Sequence, residues 1–169
     1  MGKTGTHFTF EDAGVKPDLL CLSKAVRDGL PMSILIFDKE IDTWLPGEHT
    51  GTFRGNQLAM VSGVKAMEII RRDNFANKAK MTGNYIRHGL QKIATCISCI
   101  VDVRGKGLML GIEIYNPEDG SNKFGEPLAT SELIIGLQCA ALEYGLTIEK
   151  DGHEGSVLCF PPPDDYFFE

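Results

Sequence analysis

The chain has 169 residues, enough for one ordinary domain with its own core, and its 43% hydrophobic and 24% charged residues are the balance of a soluble globular protein. Seventeen basic against twenty-three acidic side chains give a net charge of −6, no Lys/Arg cluster marks a nucleic-acid surface, and no apolar run is long enough to span a membrane. Five cysteines, an odd number in a chain too large to need staples, together with an N-terminus lacking an apolar leader, point to reduced thiols in a cytoplasmic setting.

In chain order, Asp18–Leu22 and Ser33–Phe37 are short apolar runs of strand length. They are continuous rather than alternating, which predicts strands of a parallel-type sheet buried on both faces. Between them runs a Gly- and Pro-punctuated connection that carries Ser23-Lys24-Ala25 and Gly29-Leu30-Pro31. A second Gly-rich stretch, Pro46 to Asn56, precedes a change to helical period. Leu58, Val61, Val64, Ala66, Met67 and Ile70 form one apolar stripe, with Asn56 as N-cap. Asn74 to Ile93 reads as a second helix or a bent extension of the first. Cys99 to Ile114 reads as two strands joined through the Gly105-Lys106-Gly107 bend, and Pro117 to Pro127 as a polar loop. Thr130 to Tyr144 is helical and stopped by Gly145. Leu146–Glu149 and Ser156–Phe160 are short strands, and Pro161-Pro162-Pro163 excludes regular structure at the start of the tail. The division expected is a piece of buried sheet over residues 1–56 and an α+β unit over 57–169.

Several chemical signals are weak on their own. Gly2-Lys3-Thr4 lacks the rest of a phosphate-binding loop and a preceding strand. Cys96-Ile97-Ser98-Cys99 has no second ligand pair, and the four histidines are scattered, so no metal site is expected and the thiols read as small buried hydrophobes. Gly105-Lys106-Gly107 is half of a dinucleotide fingerprint but joins two strands, as a bend does. Lys24 is the more pointed signal. A lysine just past an apolar strand, at the carboxyl edge of a buried sheet, can be desolvated into a nucleophile, although a loop lysine ordinarily stays in solvent. Thr52, with Gly51 before it and a helix start close behind, has the hydroxyl and backbone of a phosphate site, or simply of a Gly-rich turn and cap.

Taken together, these segments resemble the class III pyridoxal-phosphate-dependent aminotransferases. The resemblance is carried in order by Thr4–Phe8 through Gly14–Asp18, by Ser23-Lys24-Ala25 with Gly29-Leu30-Pro31, by His49–Asn56, and by Val103–Gly111. Trp44–His49 and Arg54 look most like the branch acting on diaminobutyrate and 2-oxoglutarate. The resemblance implies a partial fold-type I α/β structure: the end of the large-domain sheet, then the small C-terminal domain without its last helix. It implies that Lys24 carries pyridoxal 5'-phosphate through its amine and then shuttles protons. Thr52, with the backbone of Gly51, would hold the cofactor phosphate of a neighbouring subunit, which makes a homodimer or a partner aminotransferase chain part of the site. The substrates implied are a diamino acid, 2,4-diaminobutyrate foremost, and 2-oxoglutarate; no nucleic acid, membrane or metal is involved. The chain departs from the family where Cys159 stands in place of a carboxylate-binding arginine, and where the aspartate that pairs with the cofactor ring would lie upstream of Met1. A non-catalytic remnant that only associates with a full-length aminotransferase is therefore the alternative.

Overall fold

The computed structural model describes residues 1–27, 30–121, 123 and 131–160. Gly29 of the lysine motif, part of the Pro117–Pro127 loop and the Pro161–Pro163 tail lie outside the described residues; the loop begins with a short 3-10 turn over Pro117–Asp119.

Strand β1 (Leu19–Leu22) pairs with β2 (Ile34–Phe37), Leu19 opposite Phe37 and Leu22 opposite Ile34. The pairing is antiparallel, not the parallel type expected. Among the described residues the connection from 23 to 33 holds a 3-10 turn over Lys24–Arg27 and no α-helix, whereas a parallel return usually carries an α-helix in its crossover. Nor are the strands buried on both faces: Leu19, Cys21, Leu35 and Ile36 are exposed. Continuous apolar runs recorded strand propensity here, not two covered faces.

Helix α1 (Gln57–Arg72) begins where expected, the Asn56 side chain accepting from the Ala59 N–H at 3.2 Å. Asn74, at φ 52°, breaks the helical path, so α2 (Phe75–Ala94) is a separate helix. The α1 stripe is not core in this chain. Leu58, Val61 and Val64 are 74, 70 and 53% exposed, and the helix buries instead two of its small positions, Ala59 and Gly63.

Strands β3 (Ile100–Lys106) and β4 (Met109–Ile114) form a hairpin, as the Gly-x-Gly bend predicts. With β5 (Glu149–Asp151) and β6 (Val157–Phe160) they make a four-stranded antiparallel sheet in the order β3-β4-β6-β5. The fifth strand sits later than the expected Leu146–Glu149, because Ile148 is drawn into the core before pairing begins. Helix α3 (Ser131–Glu143) covers the sheet and ends at Gly145, whose φ of 76° is a left-handed cap. The core gathers Ile112, Ile114, Ile134, Ile148 and Leu158, with Leu90 of α2, Val103 and Leu137 packed against it. Alternate residues of β4 point inward, so Leu110, Ile112 and Ile114 are buried while Glu113 belongs to the other face.

The chain's first residues are tied to this unit. The carbonyl of Lys3 accepts from the Leu108 N–H at 2.8 Å, and Leu108 is 1% exposed. Around that bond three backbones nearly touch. A methyl group on Gly83 of α2 would stand 1.9 Å from the carbonyl oxygen of Gly107, and one on Gly107 would stand 2.4 Å from that of Lys3. The Gly105-Lys106-Gly107 bend therefore serves close packing, as its position between strands suggested.

Candidate functional site

Lys24 opens the turn between β1 and β2 at φ 56°, a left-handed conformation that costs a side-chain-bearing residue roughly 1 kcal/mol or more. What holds it there is Val26, two residues on and 1% exposed. Its carbonyl comes so close to α1 that a Cβ on Gly63 would lie 2.3 Å from the oxygen. Gly63 thus admits the lysine turn to the helix surface, and the buried Val26 anchors it. Lys24 itself is exposed, as a loop lysine ordinarily is.

The Thr52 segment is built by its own backbone. Arg54 N–H donates to the Gly51 carbonyl at 3.1 Å, closing a turn over Gly51–Arg54, and the Arg54 guanidinium donates to the His49 carbonyl. Glu48 accepts from the Leu45 N–H at 2.7 Å, and the Trp44 ring lies against His49 with centroids 4.9 Å apart. The residues that mark the branch in sequence thus have a local task, shaping the approach to Thr52. Among the described residues the Thr52 hydroxyl has no hydrogen-bond partner.

A cavity of about 880 Å³ joins these pieces. Ser23 from the lysine turn, the His49–Asn56 loop, and Met60, Gly63, Val64 and Met67 of α1 line it. Gly51 and Thr52 are in the wall; Lys24 is adjacent through Ser23 but is not itself a lining residue. The lysine and threonine of one chain are therefore not brought into one pocket. Sequence reasoning missed the apolar wall. Its signal was the α1 stripe, and the error was to assign that whole stripe to the core.

Replacing Gly63 with alanine is expected to push the Val26 carbonyl, and the Lys24 turn with it, off α1. Met32 Cε, 2.8 Å from the new methyl, can swing away, but the backbone oxygen cannot. The expected cost is about 1–3 kcal/mol, read as a lower denaturation midpoint together with a change in protease or reagent access to Lys24.

Cys159 stands on the outer face of the sheet, in one cross-strand row with Arg104, Gly111 and Glu149. Arg104 bonds Glu113 and, at 3.0 Å, Asp102, which hold its guanidinium firmly charged. Burial, then the carboxylates of Asp151 and Glu149, push the Cys159 thiol above its ordinary value, with Arg104 opposing. The neutral thiol therefore persists to higher pH than usual. In pulse alkylation with iodoacetamide at pH 8, Cys159 is expected to react more slowly than the exposed Cys21, Cys96 and Cys139, with the gap narrowing as pH rises; equal labelling by peptide mapping would contradict the shift. All five cysteines are free; of the Cys96 and Cys99 pair, expected as buried hydrophobes, Cys96 is exposed and Cys99 half-buried.

Among the described residues, no helix is long and apolar enough to cross a membrane, and no group of three His, Cys, Asp or Glu is placed to hold a metal.

Known proteins match this arrangement over nearly the whole chain. The sequence profile described as aminotransferase class-III matches residues 1–163. The diaminobutyrate--2-oxoglutarate aminotransferase of Rhizobium meliloti is 42% identical over 163 residues, which is 96% of this chain and 35% of that protein. That of Haemophilus influenzae is 40% identical over 156 residues, 92% of this chain and 34% of that protein. Among solved structures, an acetylornithine aminotransferase from Elizabethkingia anophelis superposes with a TM-score of 0.84 at 28% identity, covering 98% of this chain and 39% of its own. A Bacillus anthracis aminotransferase superposes with a TM-score of 0.85 at 29% identity, covering 98% and 38%. The chain spans about a third of the length of these relatives, and its mixed α/β fold matches their C-terminal part. With the profile running from the first residue through the sheet that carries Cys159, the chain belongs to the class III aminotransferase family.

Proposed function

We propose that this chain is the C-terminal part of a pyridoxal-phosphate-dependent enzyme that moves an amino group between a diamino acid, 2,4-diaminobutyrate foremost, and 2-oxoglutarate. The observation that carries the reading is Lys24, held exposed in a left-handed turn by Val26 against Gly63, beside a cavity whose wall includes Gly51 and Thr52. An exposed primary amine on a strained, anchored turn and an unpartnered hydroxyl in a cavity of this size suit an aldehyde-bearing phosphate ester. Relatives of the stated activity at 42 and 40% identity support the choice of donor and acceptor.

When bound, pyridoxal phosphate supplies an electron-withdrawing ring that stabilises negative charge at the substrate's α- or ω-carbon. Lys24 would hold the group through its amine, and that amine would serve as the base and acid for the substrate proton. Thr52 would donate its hydroxyl to the phosphate, assisted by the backbone at Gly51. Because Lys24 is not a lining residue of the Thr52 cavity, the reading includes a homodimer, or a partner aminotransferase chain, in which Thr52 of one subunit serves the lysine of the other. In this reading the large-domain part ends at residue 56, ahead of α1.

The test is to mix the purified chain with pyridoxal phosphate, reduce with borohydride and map the adduct by mass spectrometry. A single stoichiometric pyridoxyl group on Lys24, absent in Lys24→Ala, is the expected result. Labelling scattered over surface lysines would overturn the cofactor assignment. Cys159, a thiol where the family pattern has a guanidinium, favours a second reading in which the chain only associates with a complete aminotransferase. A Lys24 adduct without transamination of diaminobutyrate, joined by co-purification with a complete subunit, would select that reading.

A further inference from the structure

A second cavity, of about 320 Å³, lies beside the Lys3–Leu108 junction, between the N-terminal turn, α2 and the β3–β4 bend. Its charged and hydrogen-bonding lining includes Thr4, Asp12, Lys80, Asn84, Arg87 and Lys106. The charges do not cancel. Asp12 is bound to Lys106 at 3.2 Å, while among the described residues Lys80 and Arg87 have no carboxylate partner. In a chain of net charge −6 this leaves a local excess of two positive charges in a concave site.

The donors are also incompletely used. Arg87 Nε is buried without a hydrogen-bond partner, and its other known bond is from the guanidinium to Asn84 Oδ1 at 3.3 Å. The NH2 of the exposed Asn84 is a further donor beside it. Two cations without a carboxylate partner and one buried, unmet N–H donor, on residues that line one small cavity, are complementary to a compact, multiply charged oxyanion. The floor is rigid: the contact of Gly83 with Gly107 leaves no room for either backbone to move inward. A ligand there meets a site already formed, which lowers the ordering cost of binding.

We propose that this cavity is a binding site for a small phosphate-class anion, separate from the Thr52 cavity and independent of the function inferred above. The anion joins the N-terminal turn to α2 and the β3–β4 bend, and so clamps the junction made by the Lys3–Leu108 bond.

The test titrates the chain with inorganic phosphate at low ionic strength, by calorimetry or phosphorus NMR, beside the variants K80Q, R87Q and K65Q. Saturable binding is expected, weakened roughly fivefold or more in K80Q and further in R87Q. K65Q, which removes an exposed charge of α1 that lines neither cavity, is expected to bind as the parent does. No saturable binding, undiminished binding in K80Q, or weakening in K65Q as large as in K80Q would each overturn the proposal, the last by reducing the effect to general charge. Should R87Q fail to fold, the exposed Lys80 still decides the matter, since its side chain is not part of the core.

Discussion

Gly83→Ala is expected to destabilise the protein by about 2 kcal/mol, although alanine is the better helix former. Intrinsic propensity alone favours the substitution by about 1 kcal/mol in a helix interior. The new methyl, however, would sit 1.9 Å from the Gly107 carbonyl oxygen and 2.2 Å from its carbon. Those are backbone atoms of a bend that is itself pressed against Lys3, so there is no side chain to rotate out of the way. Relief requires α2 to separate from the hairpin, an overpacking penalty of about 1–3 kcal/mol or more that outweighs the propensity gain. Gly89, six residues later on the same helix, provides the opposite sign. A methyl there meets nothing within 4 Å, so Gly89→Ala is expected to stabilise by about 0.5–1 kcal/mol. Thermal unfolding of the two variants should diverge, Gly83→Ala falling by about 4–8 °C and Gly89→Ala rising by a few degrees. A rise in both would mean that α2 and the bend are not in contact.

Ile134→Ala is expected to have the largest effect on stability in the chain. Ile134 is 0% exposed and sits where α3 meets the sheet, in one cluster with Ile112, Ile114, Ile148 and Leu158. Truncation removes apolar surface and leaves a cavity bounded by two strands and a helix that cannot close on it independently, at a cost of about 2–5 kcal/mol. That is a large fraction of the roughly 5–15 kcal/mol that holds a domain folded. Leu142, on the same helix but 66% exposed, gives the comparison: Leu142→Ala should change stability by less than about 0.5 kcal/mol. Urea midpoints for the pair measure the difference directly, and equal midpoints would place α3 off the sheet.

The elements that were legible in sequence are those specified locally. Asn56 caps α1 through its own side chain, Gly145 stops α3 through its left-handed backbone, and the β3–β4 bend falls at its glycines. Each depends on atoms within a few residues. What failed depends on partners. The apolar runs of β1 and β2 predicted strands correctly but not their direction, which the short 23–33 connection decides. The α1 stripe was correctly helical, yet periodicity tells which face is apolar and not what covers it; Leu58 and Val61 are open while Ala59 and Gly63 are buried. Of the proposed site, Lys24 and Thr52 stand out in the sequence only through a family pattern. The supports that position them were not, because Val26 against Gly63 and Arg54 on the His49 carbonyl are meetings of residues whose types are individually unremarked. Likewise, the junction of Lys3, Gly83 and Gly107 joins three parts of the chain that no local pattern connects.

The left-handed backbone at Lys24 bears on how the protein would respond to laboratory evolution. At φ 56° glycine is unstrained where lysine is not, so Lys24→Gly removes roughly 1 kcal/mol of conformational cost and the amine together. A library screened only for heat resistance should therefore enrich glycine at this position, and one screened for retention of a pyridoxyl adduct should purge it. Opposite enrichment at a single codon would separate what the fold prefers from what the chemistry requires.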